Sequence, residues 1–272
     1  MDLGIAGKAC VVTGAGRGIG RATARMLCEA GAQVLLVART ESEVRDAAGE
    51  CGRIGAAANG RAAHLAIDVT EATAGERILA EAEDRFGSLD VIVNCAGTAR
   101  WRDLDDVTDD DWYAAWEINV MAPMRLMRAA LPAMAERGWG RVVNVSSTAG
   151  KRPSQQMGEY SVAKAGELSL SRLYADRYAG TGVLVNAVCP GPAKSEMWMA
   201  PGGLLDQSMD LQGNDDGDRE SGLAAAAARR PIGRLAEVDE IASTITFLCS
   251  ERASYVLGAA WSVDGGTVQV II

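Results

Sequence analysis

Lys8-Ala9-Cys10-Val11-Val12-Thr13-Gly14-Ala15-Gly16-Arg17-Gly18-Ile19-Gly20 is an apolar run that breaks into glycines and then continues in a helical pattern. Residues 8–13 read as a strand and residues 18–30 as a helix. Glycines at such a junction permit a tight turn and let phosphate approach the backbone at the helix N-terminus, where unpaired N–H groups point. The spacing is Gly14-x-x-x-Gly18-x-Gly20. A glycine motif alone is weak; its place between the first strand and the first helix gives it weight.

Outward from that turn, apolar runs and helical patterns alternate to the end of the chain. Strands are expected at 33–38, 63–67, 89–93, 141–145, 183–188 and 259–263. Helices are expected at 41–57, 71–86 and 237–250, around Tyr160, and from Asp109 through Leu126 to Ala135. Thr70 is placed as the cap of the 71–86 helix. Pro123 and Pro132 are expected to bend or end parts of the long one. This alternation implies an α/β fold, a doubly wound Rossmann-type parallel sheet of about seven strands with helices on both faces. Neither repeat nor linker interrupts it, so residues 1–272 form one domain. The least regular stretch, residues 193–230, carries Pro201-Gly202-Gly203 and the acidic run Asn214-Asp215-Asp216-Gly217-Asp218. It reads as a surface excursion or as a substrate lid.

Composition narrows the classes. Of 272 residues, 48% are hydrophobic, enough for a sizeable core, and no apolar run reaches the length of a membrane span. A net charge of −9 disfavours nucleic acid as a partner. Six scattered cysteines and the single His64 offer no metal-ligand spacing. With no secretory leader pattern after Met1, a cytoplasmic location with reduced thiols is expected.

The chemistry points to residues 144–166. Tyr160 and Lys164 are four apart and share a helix face. Ser147 stands at the end of the 141–145 strand, so a hydroxyl, a phenol and an ammonium can converge. A phenol titrates near pH ~10 and is a poor acid–base catalyst at neutrality. A fixed ammonium beside it favours the phenolate, so Lys164 is expected to lower the Tyr160 pKa. Taken alone, the pair reads first as a half-buried tyrosine beside a solvated lysine.

The joint order of motifs resembles the short-chain dehydrogenases/reductases, including 3-oxoacyl-carrier-protein reductase-like members. Gly14-x-x-x-Gly18-Ile19-Gly20, Asn94-Cys95-Ala96-Gly97, Asn119, Ser147, Tyr160-x-x-x-Lys164, Pro190-Gly191 and Val263-Asp264-Gly265-Gly266 carry that likeness over nearly the whole chain. The resemblance implies an oxidoreductase that moves a hydride between a nicotinamide cofactor and a secondary alcohol or ketone. Tyr160 would be the acid/base, Lys164 would hold the ribose, Ser147 would bond the reacting oxygen, and Asn119 would hold a water in a proton relay. Gly14, Gly16, Arg17, Gly18, Ile19, Gly20, Asp68, Val69, Asn94, Ala96, Gly97, Pro190, Gly191 and Ser195 would meet the cofactor. Ser146 faces the other side of its strand and is expected to be structural. Cys95 and Ser195 depart from the family's usual Asn and Thr.

NADP(H) is expected over NAD(H), with NAD(H) as a second cofactor. The second strand ends at Ala38, where NAD enzymes tend to place an acid, and Arg39 follows it. Arg39 and Arg17 would flank a 2′-phosphate, for which a guanidinium fork is suited. Ser147, Met157 and Trp198 are placed at the substrate. Met and Trp in the lid suit an apolar ring, although they serve equally as a cover for the core. Arg152 or Lys151 could meet an anionic group, although both read first as solvated surface charge. Two competing readings are a 3-oxoacyl-carrier-protein reductase, which Gly138 and Thr181 disfavour by leaving the expected docking rim without basic residues, and a catalytically silent dinucleotide-binding regulator. A homotetramer is expected from the family likeness, from apolar positions at 126–135 and 168–178, and from the apolar tail at 268–272.

Overall fold

The computed structural model describes residues 2–210 and 218–269. Seven parallel strands form one sheet in the order β3-β2-β1-β4-β5-β6-β7. The strands are β1 (Ala9–Thr13), β2 (Gln33–Ala38), β3 (Arg61–Ala66), β4 (Val91–Asn94), β5 (Gly140–Val145), β6 (Val183–Pro190) and β7 (Ala260–Val263). The expected single α/β domain is what forms.

Both faces of the sheet are covered, and the alternation along each strand shows it. Val12, Leu36, Val143 and Val188 enter one apolar cluster, shared with α1 (Gly18–Glu29) and α10 (Val238–Leu248). Their neighbours Val11, Leu35, Val142 and Val185 enter the other, shared with α3 (Ala74–Phe86), α5 (Ala122–Glu136) and α6 (Gly158–Tyr178). Strands buried on both faces need continuous apolar runs, which is why these segments are legible in the sequence.

Two local expectations are corrected. The third helix begins at Ala74, because Thr70 does not cap it: the Asp68 carboxylate accepts from Thr70 N at 3.0 Å and Oγ1 at 2.7 Å in its own turn. Pro132 lies inside α5 without ending it, on the exposed side. There the carbonyl it leaves unbonded can meet water. The long helix runs on from α4 (Asp109–Trp116) through one wide π turn, Glu117–Met121, into α5. Such single π turns concentrate at functional sites, and this one carries Asn119.

The described residues of 193–230 include three short helices between β6 and α10: α7 (Glu196–Met199), α8 (Leu204–Asp210) and α9 (Arg219–Ala228), with α2 (Glu41–Gly55) completing the set elsewhere. Most of the acidic run and the last three residues of the apolar tail lie outside the described residues. The apolar positions at 126–135 do not form an outer face; Leu126, Met127, Ala130, Leu131 and Met134 belong to the chain's own core. Gly138 and Thr181 precede β5 and β6, at the end of the sheet opposite Ser147, so they are not on the cleft rim and say nothing about carrier docking.

Candidate active site

The C-terminal ends of the strands open onto one cavity of about 540 Å³. Ser147 reaches it just past β5, and Tyr160 and Lys164 reach it from successive turns of α6. Ile19, Gly97, Pro190, Gly191 and Ser195 line the same space, with Met157, Trp101 and Trp198 on the walls. Sequence positions spread over 250 residues of chain are thus gathered where an open parallel sheet binds ligand.

The glycine turn is built for close approach. Gly14 has φ +68°, a left-handed conformation that disfavours side chains. A Cβ on Gly20 would stand 2.4 Å from the Gly14 carbonyl oxygen. The N-cap of α1 is Arg17, whose side chain makes no capping bond, so the first-turn N–H groups stay available for phosphate. Thr13 supports this turn: its Oγ1 accepts from Cys95 N at 3.0 Å and Ala96 N at 3.1 Å, tying the ends of β1 and β4. The sequence reading passed over Thr13.

Lys164 is buried, and its Nζ donates to the Val145 carbonyl and to Glu167 Oε2, each at 2.8 Å. Glu167 was missed. It is three residues on from Lys164, the one signal available. Burial works against the Lys164 ammonium, but the Glu167 carboxylate and Tyr160 outweigh it and raise the Lys164 pKa. Burial also pushes Glu167 up, while Lys164 holds it down. The Tyr160 phenol comes out raised, which corrects the expected lowering: burial is the largest influence, Lys164 and the Ser147 hydroxyl pull down, and Glu167 pushes up. Lys164 acts in the expected direction and is outweighed while the cleft holds only protein. Cys95 lines the same wall, where burial pushes its thiol up to about 12.

Asn119 Nδ2 donates to the Ala115 carbonyl at 2.9 Å, while its buried Oδ1 has no partner among the described residues. A Cβ on Gly97 would stand 3.1 Å from that Oδ1. An unsatisfied acceptor beside a cavity suits a water or ligand donor. Ser146, expected to face away, also borders the cavity, and its Oγ donates to the Lys164 carbonyl at 3.0 Å.

Other expected positions lie farther out. Asn94 is buried and donates to Asn144 Oδ1 at 2.8 Å, tying β4 to β5. Val69 and Ala96 border a second, small pocket behind it. Asp68 stands 3.9 Å from the highly exposed Arg39 across the ends of β2 and β3, and its pKa is lowered by the Thr70 bonds first. Glu43 also reaches this corner: its Oε2 would lie 3.3 Å from a Cβ on Gly16. Lys151 is held away from the cavity by bonds to Ala260 O at 2.7 Å and Ser262 Oγ at 3.0 Å, whereas Arg152 lines it.

A family model described as short chain dehydrogenase matches residues 8–202. The chain is 38% identical over 271 residues to the cis-4-hydroxycyclohexanecarboxylate dehydrogenase of Sinomonas cyclohexanicum, covering 99% of this chain and 100% of that protein. It is 34% identical over 264 residues to the 3-oxoacyl-(acyl-carrier-protein) reductase of Salmonella typhimurium, covering 97% and 98%. Among solved structures, the L-sorbose reductase of Gluconobacter frateurii complexed with NADPH and L-sorbose superposes with a TM-score of 0.91, 32% identity and full coverage of both chains.

Proposed function

The chain belongs to the short-chain dehydrogenase family, and on that premise we propose that it is an NADP-dependent oxidoreductase interconverting a secondary alcohol and a ketone. The observation that carries this reading is the meeting of Ser147, Tyr160 and Lys164 at one cavity, with the unpaired Asn119 Oδ1 in the buried layer beside it. When bound, the nicotinamide cofactor supplies or accepts the hydride. In reduction, Tyr160 donates its phenolic proton to the carbonyl oxygen as negative charge develops there, and Ser147 donates a second hydrogen bond. In oxidation, the phenolate takes the alcohol proton. Lys164 holds the ribose and stabilises the phenolate, and Asn119 holds the water through which Tyr160 is reprotonated.

The glycine turn, Ile19, Gly97, Pro190, Gly191 and Ser195 form the cradle for the cofactor. NADP is favoured by Ala38 at the end of β2, by Arg39 and Arg17 beside it, and by the NADPH-bound sorbose reductase. Residues 193–230 act as the substrate lid through Trp198, and Met157 forms the facing wall. Six free thiols fit a cytoplasmic protein. The competing carrier-protein reading draws on the Salmonella relative. The silent-regulator reading has no missing catalytic group to support it. The test is NADPH oxidation against a panel of ketones and NADP reduction against alcohols. Turnover of no member by pure protein that binds NADPH would overturn the enzyme reading.

A further inference from the structure

The cavity's charge is opposite to that of the protein. The chain carries a net charge of −9, yet among the described residues no Asp or Glu lines the cavity. Arg152, Arg229, Arg230 and Lys164 do. Lys164 is committed to Glu167 and Val145.

Arg230 stands out among these. Its Nε is fully enclosed and meets no hydrogen-bond partner among the described residues. None of the ion pairs found there includes it. Burial, then the neighbouring Arg229, holds its pKa below the usual guanidinium value. A half-enclosed cation without an anion is costly to keep unless a ligand completes it.

The cofactor's diphosphate could supply an anion, but position argues otherwise. Ile232 N bonds Gly265 O at 3.2 Å, and a Cβ on Gly266 would stand 3.2 Å from Pro231. The segment after Arg230 is therefore pinned just past β7. The glycine turn follows β1, four strands away in the sheet. At about 4.8 Å per strand that is roughly 19 Å, beyond the reach of one arginine. Ser147 follows β5, only two strands from β7. We infer that Arg230 is a specificity residue that binds an anionic group on the substrate, a carboxylate held away from the reacting carbonyl, with Arg152 as the second cation. This assignment rests on the carbonyl-reductase reading and names its substrate class. An arginine fork suits a carboxylate through two parallel hydrogen bonds.

The test compares cyclic and open-chain ketones, 4-oxocyclohexanecarboxylate among them, each as the carboxylate and as the carboxamide. The wild type should favour the carboxylates by about tenfold or more in kcat/KM. Arg230→Gln should collapse that ratio mainly through KM, and Arg230→Lys should restore part of it. The NADPH Kd, read by fluorescence, should stay within about twofold. A variant that weakens NADPH binding and leaves the ratio intact would assign Arg230 to the cofactor phosphates and overturn the inference. So would a wild type indifferent to the charge. If no ketone turns over, calorimetric titration of the carboxylates into the enzyme–NADP complex still decides. Binding lost in Arg230→Gln supports the anion site while the hydride-transfer reading fails, and no binding overturns the site as well.

Discussion

Lys164 and Glu167 form an ion pair sealed inside the protein, with Nζ 2.8 Å from Oε2 and side chains 4% and 1% exposed. The ammonium that the chemistry needs is therefore shared with a carboxylate. That carboxylate pushes the Tyr160 phenol up, against the pull of Lys164. On the proposed mechanism oxidation uses the phenolate, so its rate should rise with pH through the Tyr160 pKa. Removing the carboxylate lowers that pKa and moves the rising limb to lower pH. Glu167→Gln, which keeps an acceptor for Nζ, should show this shift in the kcat/KM profile. An unmoved limb would detach Glu167 from the chemistry. Glu167→Ala strands a buried ammonium and should cost about 3–5 kcal/mol in urea unfolding.

Tyr160→Phe deletes the proposed proton donor and leaves the ring packing. Turnover should fall by about a thousandfold, within the range of lost general acid–base catalysis. NADPH binding and thermal midpoint should stay close to the parent's. Near-normal turnover on any accepted substrate would remove Tyr160 from the mechanism.

Arg39 is 81% exposed and only loosely paired with Asp68 at 3.9 Å, so it can turn to a phosphate. Charge-assisted contacts contribute roughly 1.5–3 kcal/mol each. Arg17→Ala with Arg39→Ala should lower kcat/KM for NADP by tenfold or more and spare NAD. Glu43 should work the other way, because its carboxylate lies beside Gly16 at the same corner. Glu43→Gln should raise the NADP/NAD ratio. Parallel losses with both cofactors would show that the arginines do not read the phosphate.

Tyr113 and Trp116 on α4 and Val162 and Leu173 on α6 are 73%, 43%, 48% and 66% exposed. The two helices pack together, and apolar groups exposed on both are disfavoured by water unless a partner copy covers them. The protein should run as a tetramer in light scattering at micromolar concentration, and Leu173→Asp with Tyr113→Asp should reduce its mass. A monomeric parent would end this expectation.

Most strands were legible because burial on both faces writes itself as unbroken Val, Leu and Ile. The meeting of Ser147, Tyr160 and Lys164 was legible because motif order and sheet topology fix which strand ends adjoin. The rest depended on environment. Glu167 follows Lys164 by three residues, a spacing equally common on a wet helix face, and nothing local says that both are buried. The direction of the Tyr160 shift depends on how deeply the cleft encloses it. The π turn at Asn119 arises where Pro123 cannot donate to a carbonyl one turn back, and helical periodicity does not record a single widened turn. Thr70 looks like a cap until Asp68 takes it.

The segment between β6 and α10 supplies part of the cavity wall through Met197, Trp198 and Leu204, yet none of its described residues, 194–210 and 218–230, belongs to the large apolar clusters on either face of the sheet. This part of the cavity wall is thus separate from the apolar interior that holds the sheet together. Replacing this segment with one of another length or shape leaves the sheet's interior untouched. The scaffold can therefore explore new substrates by loop exchange, in evolution or in the laboratory, without first acquiring spare stability to survive the change.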